Sequence, residues 1–128
     1  MKHKLVINSN LKALKDLYQW MKILLTNHDV KGKTLRNILL ITQEMTTNSI
    51  LHGNKSQIDK IVTIEVTIDE KISVEIEDEG EGIKQFPSHE EAIELDYIAE
   101  NGRGLKLAVL MTDSIELCGN RVKYIFNR

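Results

Sequence analysis

Residues 43–54, Gln-Glu-Met-Thr-Thr-Asn-Ser-Ile-Leu-His-Gly-Asn, hold a carboxylate and a carboxamide four positions apart inside an apolar run. Helical spacing puts Glu44 and Asn48 on one face, one turn apart. Leu40 and Leu51 fall beside them, so the pair should lie at the edge of a dry surface. A charge in that place requires a partner or a chemical role. A polar pair near a helix end is the simpler interpretation, and this stretch alone leaves both open.

The helical pattern extends well beyond this stretch. Apolar residues cover much of the circumference from about Thr34, a candidate N-cap, to about His52, with Gly53 or Asn54 as a left-handed stop. Such a distribution predicts a heavily buried central helix. Before it, leucines and aromatic residues recur at helical spacing over residues 11–25 and predict an amphipathic helix on the same core.

After the central helix, residues 62–68 and 72–76 alternate apolar and polar side chains, which predicts an antiparallel hairpin with one buried face. Asp78 continues the parity of the second strand, so its carboxylate should point to the covered face. Gly80 and Gly82 then allow the backbone to approach a flat ligand or to take positive φ. An exposed acidic turn is the alternative, but it does not explain an inward Asp78.

A second pair of glycines, Gly102 and Gly104, precedes a short helix that starts near Leu105. Free N–H groups and the positive end of the helix dipole make such a helix start an anion site. Between the two glycine pairs, residues 84–101 lack strand periodicity, which is typical of a lid or a binding loop. A closing hairpin is predicted around the turn at residues 119–120.

Composition narrows the classes of function. The chain of 128 residues predicts a single domain, residues 1–128. A formal net charge of −2 provides no electrostatic footprint for nucleic acid or for an anionic membrane surface. No apolar run is long enough for a signal peptide or a membrane span, so a cytoplasmic protein is expected. The lone Cys118 excludes an internal disulfide and a cysteine-based metal cluster.

Three motifs stand in a fixed order along the chain: Glu44-x-x-x-Asn48 running into His52-Gly53-Asn54-Lys55, then Asp78-x-Gly80-x-Gly82-Ile83, then Gly102-Arg103-Gly104-Leu105. This ordered set resembles the GHKL ATP-binding superfamily and, within it, the small anti-sigma-factor serine/threonine kinases of bacteria. The resemblance covers nearly the whole chain. It implies an α/β fold of two layers, in which a mixed, mostly antiparallel sheet is covered on one face by helices, as in the Bergerat or histidine-kinase-like ATPase fold.

The resemblance also implies roles at the matching positions. Glu44 matches the general base, which would take the proton from an incoming hydroxyl. Asn48 matches the asparagine that coordinates Mg²⁺ through its side-chain oxygen. Asp78 matches the aspartate that accepts a hydrogen bond from the adenine amino group. The other nucleotide-binding positions belong to the two glycine motifs: Gly80, Gly82 and Ile83 beside the base, and Gly102, Arg103, Gly104 and Leu105 around the phosphates.

One segment departs from the family pattern. Kinase members often carry a basic residue shortly before the second glycine pair, whereas residues 98–101 here are Ile-Ala-Glu-Asn. Positioning of the γ-phosphate would then rest on magnesium, backbone amides and Arg103 or Lys106.

The function implied by the resemblance is an ATP- and Mg²⁺-dependent protein serine/threonine kinase that acts as an anti-sigma factor. It would bind a sigma factor and phosphorylate an anti-sigma-factor antagonist, as a homodimer and without direct contact to nucleic acid or membrane. The alternative is a non-enzymatic module in which ATP orders residues 84–100 and presents a protein-binding surface. The catalytic half of a histidine kinase is disfavoured, since no dimerisation helix with a phospho-accepting histidine precedes the domain.

Overall fold

Five strands and three α-helices are described in a computed structural model of the protein, which covers residues 1–80 and 100–128, with the backbone alone at 100–105. In chain order the elements are β1 (Lys2–Asn8), α1 (Ala13–Asn27), α2 (Gly32–Asn48), a π-helical turn (Ser49–Gly53), β2 (Ile61–Ile68), β3 (Lys71–Glu77), α3 (Glu100–Met111), β4 (Ser114–Cys118) and β5 (Arg121–Asn127). Within the described part of the chain, no helix has the length and apolar character needed to cross a bilayer.

The strands form one sheet in the order β1-β2-β3-β5-β4, and each pairing among them is antiparallel. Its register aligns the inward side chains across strands, since Leu5 pairs with Ile64, and Ile64 pairs with Ile76. A slip of one residue would turn this apolar set toward water, so burial of one face holds the register. The expected two-layer fold with a mostly antiparallel sheet is confirmed.

The core lies between one face of the sheet and the helices. Most of its fully buried members come from α1, α2 and the three central strands, and include Leu17, Met21, Leu25, Ile38, Ile41, Ile64, Val74 and Tyr124. Burial of each large apolar side chain contributes roughly 1.5–3 kcal/mol. Burial also raises the pKa of the Tyr124 phenol, so this core side chain stays neutral at physiological pH.

The opposite face of the sheet carries charged side chains. Lys2 Nζ lies 3.2 Å from Glu65 Oε1, and Arg121 Nε lies 3.3 Å from Glu77 Oε2. Such exposed pairs add little stability. Apolar residues therefore alternate with charged residues along the strands, and this alternation places the apolar face of the sheet against the helices.

The end of the central helix differs from the expectation. After α2 the chain continues through the π-helical turn, where the Asn54 N–H donates to the Ser49 carbonyl at 2.8 Å. Asn54 has φ −90°, and the left-handed residues are Lys55 and Ser56, with φ 52° and 58°. The prediction of a left-handed stop at Gly53 or Asn54 is therefore wrong. The wider π turn delays the reversal of the chain by one or two residues.

Thr46 on α2 is fully buried, and its hydroxyl finds no hydrogen-bond partner among the described residues. A buried hydroxyl without a partner is unfavourable by about 1–3 kcal/mol. Thr46→Val keeps the shape of the side chain, so we expect it to raise the free energy of unfolding by about 1 kcal/mol in urea denaturation. Thr47→Val is the control, because the Thr47 hydroxyl donates to the Gln43 carbonyl at 2.7 Å. Equal effects of the two substitutions would contradict this expectation.

Candidate functional site

The end of the central helix lies directly against the chain that follows β3. A Cβ atom on Gly53 would lie 2.6 Å from Asp78 Cγ, and a Cβ atom on Gly80 would lie 2.8 Å from the carbonyl carbon of Gly53. Neither distance leaves room for a Cβ atom as the groups now lie: at Gly80 it would meet the Gly53 backbone, and at Gly53 it would meet the Asp78 carboxyl group. We call Gly53, Asp78 and Gly80 the glycine contact.

Asp78 is buried, with 8% of its surface exposed, so its predicted inward direction is confirmed. Its Oδ1 accepts a hydrogen bond from the Gly80 N–H at 2.8 Å. Asn120 fixes the backbone of the same residue, because its carbonyl accepts from the Asp78 N–H at 3.2 Å and its side-chain amide donates to the Asp78 carbonyl. Oδ2 faces Gly53 and accepts no hydrogen bond from the described residues. A carboxylate oxygen without a partner, on a residue that is otherwise buried, is suited to accept a hydrogen bond from a ligand.

Glu44 and Asn48 are both half-buried on α2. Their four-residue spacing corresponds to about 6 Å along the helix axis, and Glu44 precedes Gly53 by roughly 13 Å of helix. The Asn48 amide nitrogen lies 3.9 Å from Met45 Sδ, a weak contact that leaves its carbonyl oxygen without a partner among the described residues. One helix therefore carries the acid and the amide upstream and meets the Asp78 carboxylate at its end.

Asn54 is a residue of this region that the sequence pattern identified only as a possible helix stop, without a role in the site. Its side chain is fully buried and makes three hydrogen bonds, to Ser9 Oγ at 2.8 Å, to the Ile61 carbonyl at 2.9 Å and from the Glu79 N–H at 2.7 Å. These partners are 45, 7 and 25 residues away in the chain. An asparagine after a glycine at a helix end resembles an ordinary stop, so no local signal distinguishes it.

Several predicted site residues lie in parts of the chain that the structure describes only as backbone or does not describe. Gly82, Ile83 and nearly all of the predicted lid lie within residues 81–99, outside the described residues. Gly102, Arg103, Gly104 and Leu105 belong to the first turns of α3, which begins at Glu100 rather than near Leu105. Of the second glycine motif, therefore, only its place at the N-terminal end of a helix packed on α2 is described. Lys106, the next residue, is buried.

Comparison with known proteins adds a family match and several relatives. The family model of the histidine kinase-like ATPase domain matches residues 7–125. An anti-sigma F factor of Clostridium botulinum (strain Alaska E43 / Type E3) is 39% identical over 54 residues, which are 41% of this chain and 38% of that protein. An anti-sigma F factor of Clostridium perfringens (strain SM101 / Type A) is 33% identical over 95 residues, 70% of this chain and 66% of that protein. The matched part thus spans less than two thirds of each relative.

Proposed function

We propose a function from one premise: the chain belongs to the histidine kinase-like ATPase domain family. Membership of an ATPase family implies that the protein binds ATP. On that basis the protein is an ATP-dependent protein serine/threonine kinase that acts as an anti-sigma factor, binding a sigma factor and phosphorylating an anti-sigma-factor antagonist. Similarity to proteins named anti-sigma F factor supports this choice of partners.

The observation that carries the proposal is the environment of Asp78. Asp78 is a buried residue, its Oδ2 accepts no hydrogen bond from the described residues, and its Oδ1 accepts one from the Gly80 N–H. The amino group of adenine could donate a hydrogen bond to Oδ2. The close packing of Gly53 and Gly80 fixes the Asp78 carboxylate at the end of the central helix. Asp78 therefore forms the adenine end of the site, with Gly53 and Gly80 beside it and with Gly82 and Ile83 next along the chain.

The phosphate end would be built by α2 and α3. Asn48 offers a side-chain carbonyl oxygen, the kind of ligand that suits Mg²⁺. Bound Mg²⁺ would supply charge neutralisation for the β- and γ-phosphates. Glu44, one turn away, would accept the proton from the serine or threonine hydroxyl of the substrate. As the hydroxyl oxygen bonds to the γ-phosphorus, the bond between the γ-phosphorus and the ADP oxygen breaks. The motif Gly102-Arg103-Gly104-Leu105 would approach the phosphates at the start of α3.

The same proposal extends to the organisation of the protein. Residues 1–128 would act as one catalytic domain, since the family match covers 7–125 of them. With a sigma factor and its antagonist as partners, the protein would work in the cytoplasm and would not contact nucleic acid directly. A homodimer is the assembly that the family resemblance implies.

The decisive experiment is transfer of labelled phosphate. The protein is incubated with γ-labelled ATP, Mg²⁺ and a purified cognate antagonist, and we expect phosphoserine or phosphothreonine on the antagonist. Omission of Mg²⁺ with added chelator is the control. Binding of ATP without transfer in a single turnover would contradict the kinase and would favour the non-enzymatic ATP-gated module.

A further inference from the structure

We propose, on the basis of the nucleotide-binding function above, that Asn54 is a positioning residue for base recognition. Its buried side chain holds the segment 78–80 against the end of the central helix and so sets the preference of the site for adenine. Asn54 itself need not touch the nucleotide. It acts through the backbone that carries the Asp78 carboxylate.

The three hydrogen bonds of Asn54 join three parts of the sheet to the helix end. The amide nitrogen donates to Ser9 Oγ, just after β1, at 2.8 Å and to the carbonyl of Ile61, at the start of β2, at 2.9 Å. The amide oxygen accepts from the N–H of Glu79, two residues after β3, at 2.7 Å. Ser9 is also buried, and its hydroxyl donates a hydrogen bond to the Lys60 carbonyl at 2.7 Å.

The bond to Glu79 bears directly on Asp78, because that N–H belongs to the peptide unit that follows the Asp78 Cα. Gly80, one residue later, packs on the backbone of Gly53, which is the residue before Asn54. A second tie runs from the Ile61 N–H to Glu79 Oε2 at 2.7 Å. Two adjacent helix-end residues, Gly53 and Asn54, thus hold the backbone that directly follows Asp78, at Gly80 and Glu79.

A role as a helix stop does not explain this side chain. The backbone of Asn54 has φ −90° and ψ −2°, the conformation of the third residue of a type I turn, which does not require asparagine. Its side-chain amide is fully buried. In the interior, each polar group without a hydrogen-bond partner lowers the stability of the fold. The position therefore selects asparagine for its side chain, which combines two donors with one acceptor in the required directions.

The test compares ATP with GTP, because guanine places a carbonyl oxygen where adenine has its amino group. Dissociation constants of both nucleotides are measured for the wild type, Asn54→Ala and the reference variant Asp78→Asn. We expect the wild type to prefer ATP and Asp78→Asn to lose that preference. Asn54→Ala should weaken ATP binding about tenfold and GTP binding little, so that the ratio falls about tenfold.

Leu25→Ala is the matched control for lost stability. Leu25 is fully buried on α1 and takes no part in the bonds around Asn54, so its truncation should leave the ATP to GTP ratio unchanged. Hydrogen exchange gives a readout independent of nucleotide: the Glu79 amide should exchange faster in Asn54→Ala than in Leu25→Ala, each relative to the Val74 amide in β3.

An unchanged ATP to GTP ratio in Asn54→Ala, or a ratio that falls equally in Leu25→Ala, would overturn the positioning role. If Asn54→Ala does not fold, Asn54→Ser decides by the same ratio, because its shorter side chain cannot span the distance to the Glu79 amide. A wild-type protein that binds neither nucleotide would instead contradict the proposed function, so the two failures are distinguishable.

Discussion

Glu44→Gln is expected to slow phosphoryl transfer to the antagonist by about 10²–10⁴-fold, the usual contribution of a general base. Glutamine keeps the size of the side chain and its place on α2 but cannot accept the proton of the attacking hydroxyl. The affinity for ATP should change little, because the proposed contacts to adenine and to Mg²⁺ are made by Asp78 and Asn48, not by Glu44. The loss should therefore appear in the chemical step.

The measurement is a single-turnover transfer with saturating Mg-ATP, together with a separate ATP dissociation constant for each variant. Glu65→Gln is the matched control, since it makes the same substitution on the opposite, open face of the sheet, where Glu65 pairs with exposed Lys2 at 3.2 Å. That exposed pair contributes little, so transfer and binding should both be retained. Undiminished transfer in Glu44→Gln would remove Glu44 from the role of base.

The parts of the fold that sequence patterns could predict are those governed by periodicity. Alternation in β2 and β3 predicted a half-buried hairpin, and the same alternation predicted the inward direction of Asp78, which is 8% exposed. Burial of one sheet face makes such predictions robust, because a shift by one residue would expose every apolar side chain. The buried character of α2 follows from its apolar circumference for the same reason.

The parts that patterns could not predict depend on which segments meet in space. Gly53 resembles a helix stop, yet its lack of a side chain is required by Asp78, 25 positions along the chain. Asn54 likewise resembles a stop, while its bonds reach Ser9 and Glu79. The π-helical turn that brings both residues to the strand end has no composition signal of its own. Local propensity therefore predicted the elements of the site, and tertiary contacts determined how two of them are joined.

That junction has a mechanical consequence for the proposed site. The helix with Glu44 and Asn48 is not joined to Asp78 through a flexible loop but through direct backbone packing of Gly53 on Gly80. A shift of the helix end would move the proposed adenine contact relative to the proposed phosphate contacts. Since transfer depends on simultaneous placement of both ends of the nucleotide, small displacements at the glycine contact should have large effects on function.

Gly80→Ala is expected to lower the free energy of unfolding by about 1–3 kcal/mol, as overpacking of a tight contact does, and to abolish measurable ATP binding. The new Cβ would lie 2.8 Å from the Gly53 carbonyl carbon and 2.9 Å from the Gly53 Cα, and backbone atoms on both sides cannot move aside cheaply. Gly53→Ala should differ, because its Cβ would meet the end of the Asp78 side chain, which can rotate away. It should therefore weaken ATP binding strongly while reducing stability less than Gly80→Ala does.

Gly32→Ala is the control for the loss of a glycine, because a Cβ there would meet nothing within 4 Å and its φ of +64° imposes only the left-handed penalty. That penalty is about 1–2 kcal/mol, and it arises at the start of α2, far along the chain from Asp78. Thermal or urea unfolding of the three variants measures the loss of stability, and ATP titration of the same variants measures the loss of affinity. Gly32→Ala should keep wild-type affinity, whereas both variants at the glycine contact should lose it. Wild-type ATP affinity in a folded Gly80→Ala protein would show that the contact between helix end and strand end does not shape the nucleotide site.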